Sequence, residues 1–451
     1  MPLPTYGHRV DEPQADLLLD SPLGRQFLLE CLGERFRMKL FGALGLGPPP
    51  GVFEIASDPT FRSPEPSRTW HEVAPEEVSA LLASAVREGE WRHVLGLDEL
   101  ELLGFLARTT SSFGHLGRDE AEWGLTAPAR EELRPIAEAL MAAPSTQRWW
   151  EDVRRHDQRA LWWDTTDRPS GVAVEESVRE EMAEAAAQNE AGLERGRRPL
   201  DDTRRVGAYR WSMPFALCTT GSFGDVPSIA LGDFTSMFLP HGEHSADVLS
   251  MQISPDARVL EVRSSLQWAE LVRRFPRDVT GTHDGEWRRW GGVSGPWLLP
   301  AWDKVMEEWD GVHVTIGGYL ASSGIALAVD GAYTMLAGWI PDGTVWLRDV
   351  TVSERLLGRW TGDLGRYRSW KHVRAGWEPA GEGDGVRSAR TAAAESQGSA
   401  SVHAQRSFRQ ATVRGTRIRV DLVADLLTGG ATIGDLLDEY PSLVADDAAI
   451  S

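Results

Sequence analysis

The chain has 451 residues, with 47 Lys plus Arg against 67 Asp plus Glu and a net charge of −20. That length exceeds the usual ~100–200 residues of one domain, so two or three units are expected. A hydrophobic share of 41% excludes wholesale disorder, and so acidic a chain does not coat nucleic acid over its whole surface, which leaves only a local basic patch for that role.

The two cysteines, Cys31 and Cys218, form no CxxC pair, so neither a disulfide framework nor a zinc knuckle is expected. The first residues lack a basic flank leading into an apolar run, and no apolar stretch reaches the ~18 residues of a membrane span. The expected setting is cytoplasmic, with no membrane contact.

Residues 1–171 read as mostly helical. Leu17, Leu18, Leu23, Phe27, Leu28, Leu32 and Phe36 recur at helical spacing, and Ser21-Pro22 offers an N-cap and a first-turn proline. Further helices are predicted over Pro75–Arg87, Asp98–Arg108 and Pro128–Met141. Residues 172–204 form a charged connecting helix, rich in Ala and Glu and stopped by Pro199. Its glutamates read as a solvated face or as a docking face for a basic partner.

From 205 to 377 the texture changes. Short runs rich in β-branched and aromatic residues predict strands at 206–213, 228–231, 247–253, 258–262, 312–316, 325–329, 333–337 and 345–350. Helices are predicted at 265–275 and 300–308. Strands with occasional helices, without regular βαβ alternation, predict an α+β fold. Ten tryptophans fall between 287 and 377, either as a core or as the wall of a cleft that stacks on a planar ring. Residues 378–405, rich in Gly, Ala and Ser, read as a flexible linker.

Residues 406–451 then form a separate small unit. Arg414-Gly415-Thr416-Arg417-Ile418 is a turn, Val420–Leu427 has helical spacing, Gly429-Gly430 breaks it, and Thr432 caps a short helix that ends at Tyr440-Pro441. This order resembles the domain-of-unknown-function-433 family. The resemblance implies a small helix-turn-helix-like module. Relatives of that family often act as antitoxins, binding a partner nuclease and operator DNA. Arg409, Arg414, Arg417, Arg419 and Tyr440 are the candidate binding residues, the arginines being suited to phosphate contacts. The partner is a toxin-like protein, the chain's own central domain, or operator DNA. The oligomeric state is left open.

The densest polar cluster of the central region surrounds His313. As a strand, this segment places Gly311, His313 and Thr315 on one face, and a Gly317-Gly318 turn brings Tyr319, Ser322 and Ser323 close. With Arg210 on an earlier strand and Asp342 later, the order is loosely similar to that of ADP-ribosyltransferases. That likeness implies NAD as cofactor, with Arg210, His313 and Tyr319 holding the dinucleotide and Asp342 stabilising an oxocarbenium-like ribose. His241 and His244 form an HxxH without a third ligand, so no metal site is expected. His283-Asp284, with Trp287 and Arg288, reads as solvated loop charge. Two functions follow: a regulatory or defence-related protein of toxin–antitoxin type, or an enzyme restrained or targeted by its tail.

Overall fold

Two small β-sheets, packed face to face and flanked by helices on one side, organise the chain. The computed structural model describes residues 14–33, 74–97, 127–163, 174–195, 212–214, 219–221, 243–363 and 378–379, with single positions between 36 and 106. The predicted elements at 98–108 and 206–211, apart from Leu102 and Leu106, and those at 228–231 and 380–451 lie outside these residues.

The helices form where periodicity and caps agree. Helix α1 (Gln14–Asp20) leads into α2 (Pro22–Cys31), whose N-cap Ser21 accepts the Gly24 N–H at 3.3 Å while Pro22 opens the first turn. Helix α3 (Pro75–Glu88) ends at left-handed Gly89, and α4 (Ala127–Met141) follows. Arg130 and Arg134 of α4 tie it to α1, through Asp20 at 2.6 Å and Asp16 at 2.9 Å. Strand β1 (Gln158–Trp163) breaks the helical texture, and α5 (Val174–Arg195) is the long charged helix.

The rest comprises β2 (Thr219–Thr220), β3 (Glu243–Ile253), β4 (Val259–Val262), α6 (Ser265–Arg274), β5 (Pro276–Asp278), α7 (Thr280–Gly291), β6 (Leu298–Pro300) and α8 (Trp302–Glu308). Next come β7 (Gly311–Val314), α9 (Ile316–Ser322), β8 (Leu327–Val329), β9 (Ala332–Thr334), β10 (Gly343–Trp346), β11 (Thr351–Asp363) and β12 (Glu378–Pro379). The chain is α+β, as expected.

One four-stranded sheet runs β1-β3-β11-β12 and the second β2-β10-β7-β4, and β5-β6 and β8-β9 form two-stranded sheets beside them. In the second, β4 and β7 are parallel, while β7 and β10, and β10 and β2, are antiparallel. The sheets join where Arg159 and Gly221 exchange backbone hydrogen bonds at 2.7 and 3.0 Å.

Strand alternation gives the second sheet two different faces. Val262, Val312, Val314 and Val345 face the helices, in an apolar core that runs from Ala15 to Leu347. Val259 and Trp346 face the first sheet and pack with Ala160, Leu249, Met251 and Ile253. Tryptophans fill the helical side. Trp268, Trp302 and Trp339 form a triangle with ring centroids 5.9–6.4 Å apart, and all are fully buried. Their edges find partners: Trp268 donates to Thr334 Oγ1 at 3.2 Å and Trp339 to the Gly343 carbonyl at 3.1 Å.

Two sequence readings are corrected here. Gly317-Gly318 is not a hairpin turn. These residues open helix α9, where the Thr315 side chain accepts the Gly318 N–H at 2.9 Å, and a Cβ on Gly317 would lie 2.4 Å from the Trp150 ring. His283-Asp284 is not solvated loop. Both are buried on α7, which presses against α5 so closely that the Gly281 N–H reaches Asn189 Oδ1 at 2.7 Å.

Replacing Trp268 by Ala removes a fully buried indole. Urea unfolding is expected to show a loss of about 3–5 kcal/mol. The neighbouring Leu266→Ala, at a position 38% exposed, is expected to stay within about 0.5 kcal/mol of the parent.

Candidate functional site

A polar row crosses the face of the second sheet that looks toward the first. The register sets Thr220 opposite Thr344, Thr344 opposite His313, and His313 opposite Glu261, one residue from each strand. All four side chains therefore share one face.

His313 is the centre of the row and is 1% exposed. Its Nδ1–H donates to Glu261 Oε2 at 2.5 Å and its Nε2–H to Asp342 Oδ1 at 3.2 Å. Burial works against a charged ring, but the hydrogen bonds and charges of Asp342 and Glu261 outweigh it and push the His313 pKa up to about 9. The ring is thus an imidazolium at neutral pH, clamped between two carboxylates. Glu261 is itself anchored, since its Oε1 accepts the Val153 N–H at 3.0 Å.

Asp342 reaches His313 from the turn before β10. Its backbone is left-handed, φ 57°. Thr344, one residue into β10, is fully buried and its hydroxyl has no hydrogen-bond partner. At the far end of the row Thr220 donates to Gln158 Oε1 and accepts the Trp346 indole N–H at 2.8 Å. The cluster can hold or move a proton at His313 Nε2, where the Asp342 carboxylate stands at 3.2 Å.

Of the residues singled out in the sequence, His313 and Asp342 are in direct contact. Tyr319 lies on α9, buried in the helical core that Val312 and Val314 also face, on the other side of β7 from His313. Arg210, Arg409, Arg414, Arg417, Arg419 and Tyr440 lie outside the described residues. Glu261 and Thr344 were missed by sequence reasoning. A lone Glu in Val-Leu-Glu-Val reads as the exposed position of an edge strand, and only the parallel pairing of β4 with β7 reveals its partner. Among the described residues no group of three or more His, Cys, Asp and Glu is placed to hold a metal ion, and no helix is long and apolar enough to cross a membrane.

Residues 401–449 match a family described as a protein of unknown function, DUF433, which agrees with the likeness read from the RGTRI turn and the Tyr-Pro step. No family is recognised for the rest of the chain. No curated protein and no solved structure matches it.

The His313 clamp makes stability depend on pH. The folded pKa of about 9 lies above the ordinary 6.5, so the clamp's contribution is complete below pH 6.5 and is lost as pH rises through 9. The difference corresponds to on the order of 3 kcal/mol. Urea titrations between pH 6 and 10 are expected to show this loss in the parent chain and a flatter profile in His313→Gln.

Proposed function

We propose that this chain is a cytoplasmic, two-part regulatory protein of the toxin–antitoxin type, whose C-terminal segment binds a protein partner. The observation that carries the reading is the match of residues 401–449 to the DUF433 family. The resemblance to that family supplies the antitoxin-like role. The partner is a toxin-like protein or the chain's own central region.

Charge order within the segment favours protein over DNA. Its five arginines precede position 420, and seven acidic residues follow, from Asp421 to Asp447. A duplex carries one negative charge per ~1.7 Å and repels the second half while it attracts the first. A protein surface can match both signs. Operator DNA, read through Arg409, Arg414, Arg417, Arg419 and Tyr440, is the narrower form of the same reading.

A second reading is favoured by one observation: the contact of His313 with Asp342 at 3.2 Å. On it, the central region is an ADP-ribosyltransferase-like enzyme that uses NAD, with Asp342 as the acid and His313 and Arg210 on the dinucleotide, while Tyr319, on the other side of β7, takes no part. The tail then restrains or targets that activity.

Growth of a bacterial host separates these readings. Induction of residues 1–380 is expected to arrest growth, while the full chain leaves it unchanged. Equal growth under both would remove the restraining role of the tail. If the full chain shifts operator DNA in a gel, Arg414→Ala with Arg417→Ala should weaken the shift and flatten its salt dependence. On the enzyme reading, His313→Ala lowers NAD turnover by at least tenfold, and a turnover equal to that of the parent would exclude the role.

A further inference from the structure

We infer that residues 150–155 form a gate: they seal the body along the outer edge of β4, between it and the end of β3, and their displacement admits water and small polar solutes to His313. The inference concerns access to the polar row. It holds whatever chemistry the row performs and whatever the C-terminal segment binds.

The row crosses the second sheet from Thr220 on β2 to Glu261 on β4, and its two ends are closed in different ways. At the Thr220 end the sheets are joined by the paired backbone hydrogen bonds of Arg159 and Gly221. At the Glu261 end β4 is the last strand of its sheet. There the chain leading from Trp150 to β1 runs past it in the opposite direction, meeting Arg263, Glu261, Ala257 and Ile253 in turn. Asp152 pairs with Arg263, and the Val153 N–H donates to Glu261 Oε1 at 3.0 Å. Arg155 Nε donates to the Ala257 carbonyl at 3.1 Å, and the Arg155 carbonyl accepts the Ile253 N–H at 2.8 Å. The segment thus holds a member of the row directly. The Val153 side chain fills the space behind it, packed with Val259 and Trp346.

The fastenings nearest the row are the ones that water can replace. Residues 151–154 belong to no helix or strand, so no ladder of backbone bonds holds them. The Asp152 side chain is 66% exposed and that of Arg263 34%, which leaves their pair open to screening. The Trp150 ring rests on Gly317, where a Cβ would lie 2.4 Å from it. Its indole N–H is buried with no hydrogen-bond partner, so lifting the ring sacrifices no bond there and lets the N–H reach water. The Glu151–Arg154 pair, at 2.6 Å, lies inside the segment and travels with it. A stretch with few buried contacts, flanked by regular structure on both sides, opens before the body around it does.

What lies behind the gate cannot be reached while it is shut. His313 is 1% exposed, and a proton passes between its ring and a solute only at hydrogen-bond distance. A molecule entering beside Glu261 meets the His313 ring first. At the next position along the row it finds the Thr344 hydroxyl, which is fully buried and has no partner. That hydroxyl is a donor and an acceptor that the closed body leaves unused.

Hydrogen exchange of the full chain in deuterated water tests the gate. Mass spectrometry reads the amides of 149–157 together with the slow Cε1 hydrogen of the His313 ring. Two variants loosen the segment from outside the row: Gly317→Ala pushes the Trp150 ring away, and Arg263→Glu sets like charges against each other at Asp152. Each is expected to speed both exchanges by about tenfold or more, while the amides of 280–291 in α7 and the ring of exposed His93 keep their parent rates. Adding Asp152→Arg to Arg263→Glu restores the pair with its signs exchanged and should return both rates toward the parent. Faster amides at 149–157 with an unchanged His313 ring would overturn the gate, since the segment would then move without covering the row. Unchanged amides in both variants, or a rise shared by α7, would overturn it as well. Should Gly317→Ala fail to fold, Arg263→Glu and its charge-swapped rescue, both at partly exposed positions, decide the matter.

Discussion

One proton on His313 joins three segments that are far apart in the sequence. Glu261 lies on β4, His313 on β7 and Asp342 in the turn that starts β10, and both ring nitrogens are engaged. The register of the second sheet follows from the same contacts. A slip of one residue in β7 would turn His313 into the tryptophan core and expose Val312 and Val314 to the polar row. Burying a charge where valines are required costs far more than either backbone pairing gains, so the clamp and the core select the same register.

The tryptophans explain why the polar row lies between the sheets and not beneath the helices. Trp268, Trp302 and Trp339 need a continuous apolar volume, which Val262, Val312, Val314 and Val345 complete from below. Each of these β-strand residues has a neighbour of opposite character, because successive side chains alternate between faces. Glu261, His313 and Thr344 are the residues left for the other face. There they share space with a smaller apolar cluster around Trp346 and Met251, where their hydrogen bonds are shielded from water.

Much of this was legible in the sequence, and the failures have physical causes. Helices α3, α4, α5 and α6 announce themselves through apolar stripes, strong helix formers and caps. Strands β3, β4 and β7 announce themselves through β-branched runs. Helix α7 does not, because Thr280-Gly281-Thr282-His283-Asp284-Gly285 contains neither an apolar stripe nor a helix former. Its helix is imposed by packing on α5, where Gly192 and Gly281 allow close approach. Strand β1 hides among helices, since Gln158 and Arg159 are polar and their burial arises from pairing with β3 and Gly221. At the site, His313 and Asp342 stood out as residue types, but their contact spans 29 positions and is a product of the sheet. Glu261 gave no signal until β4 was set beside β7.

Stability alone does not account for the clamp. A buried ion network is replaced by apolar side chains of similar size at little cost, or even at a gain, because the desolvation of the charges is then avoided. Here two carboxylates share one imidazole that is almost closed to water. One of those carboxylates is mounted on a left-handed residue where glycine would relieve the backbone. Beside them, Thr344 forgoes a hydrogen bond altogether. Each feature costs free energy, and together they converge on one imidazole at a junction of two sheets. Their common consequence is that β4, β7 and the turn before β10 are joined by hydrogen bonds of fixed direction to one imidazole, which an apolar brace would lack.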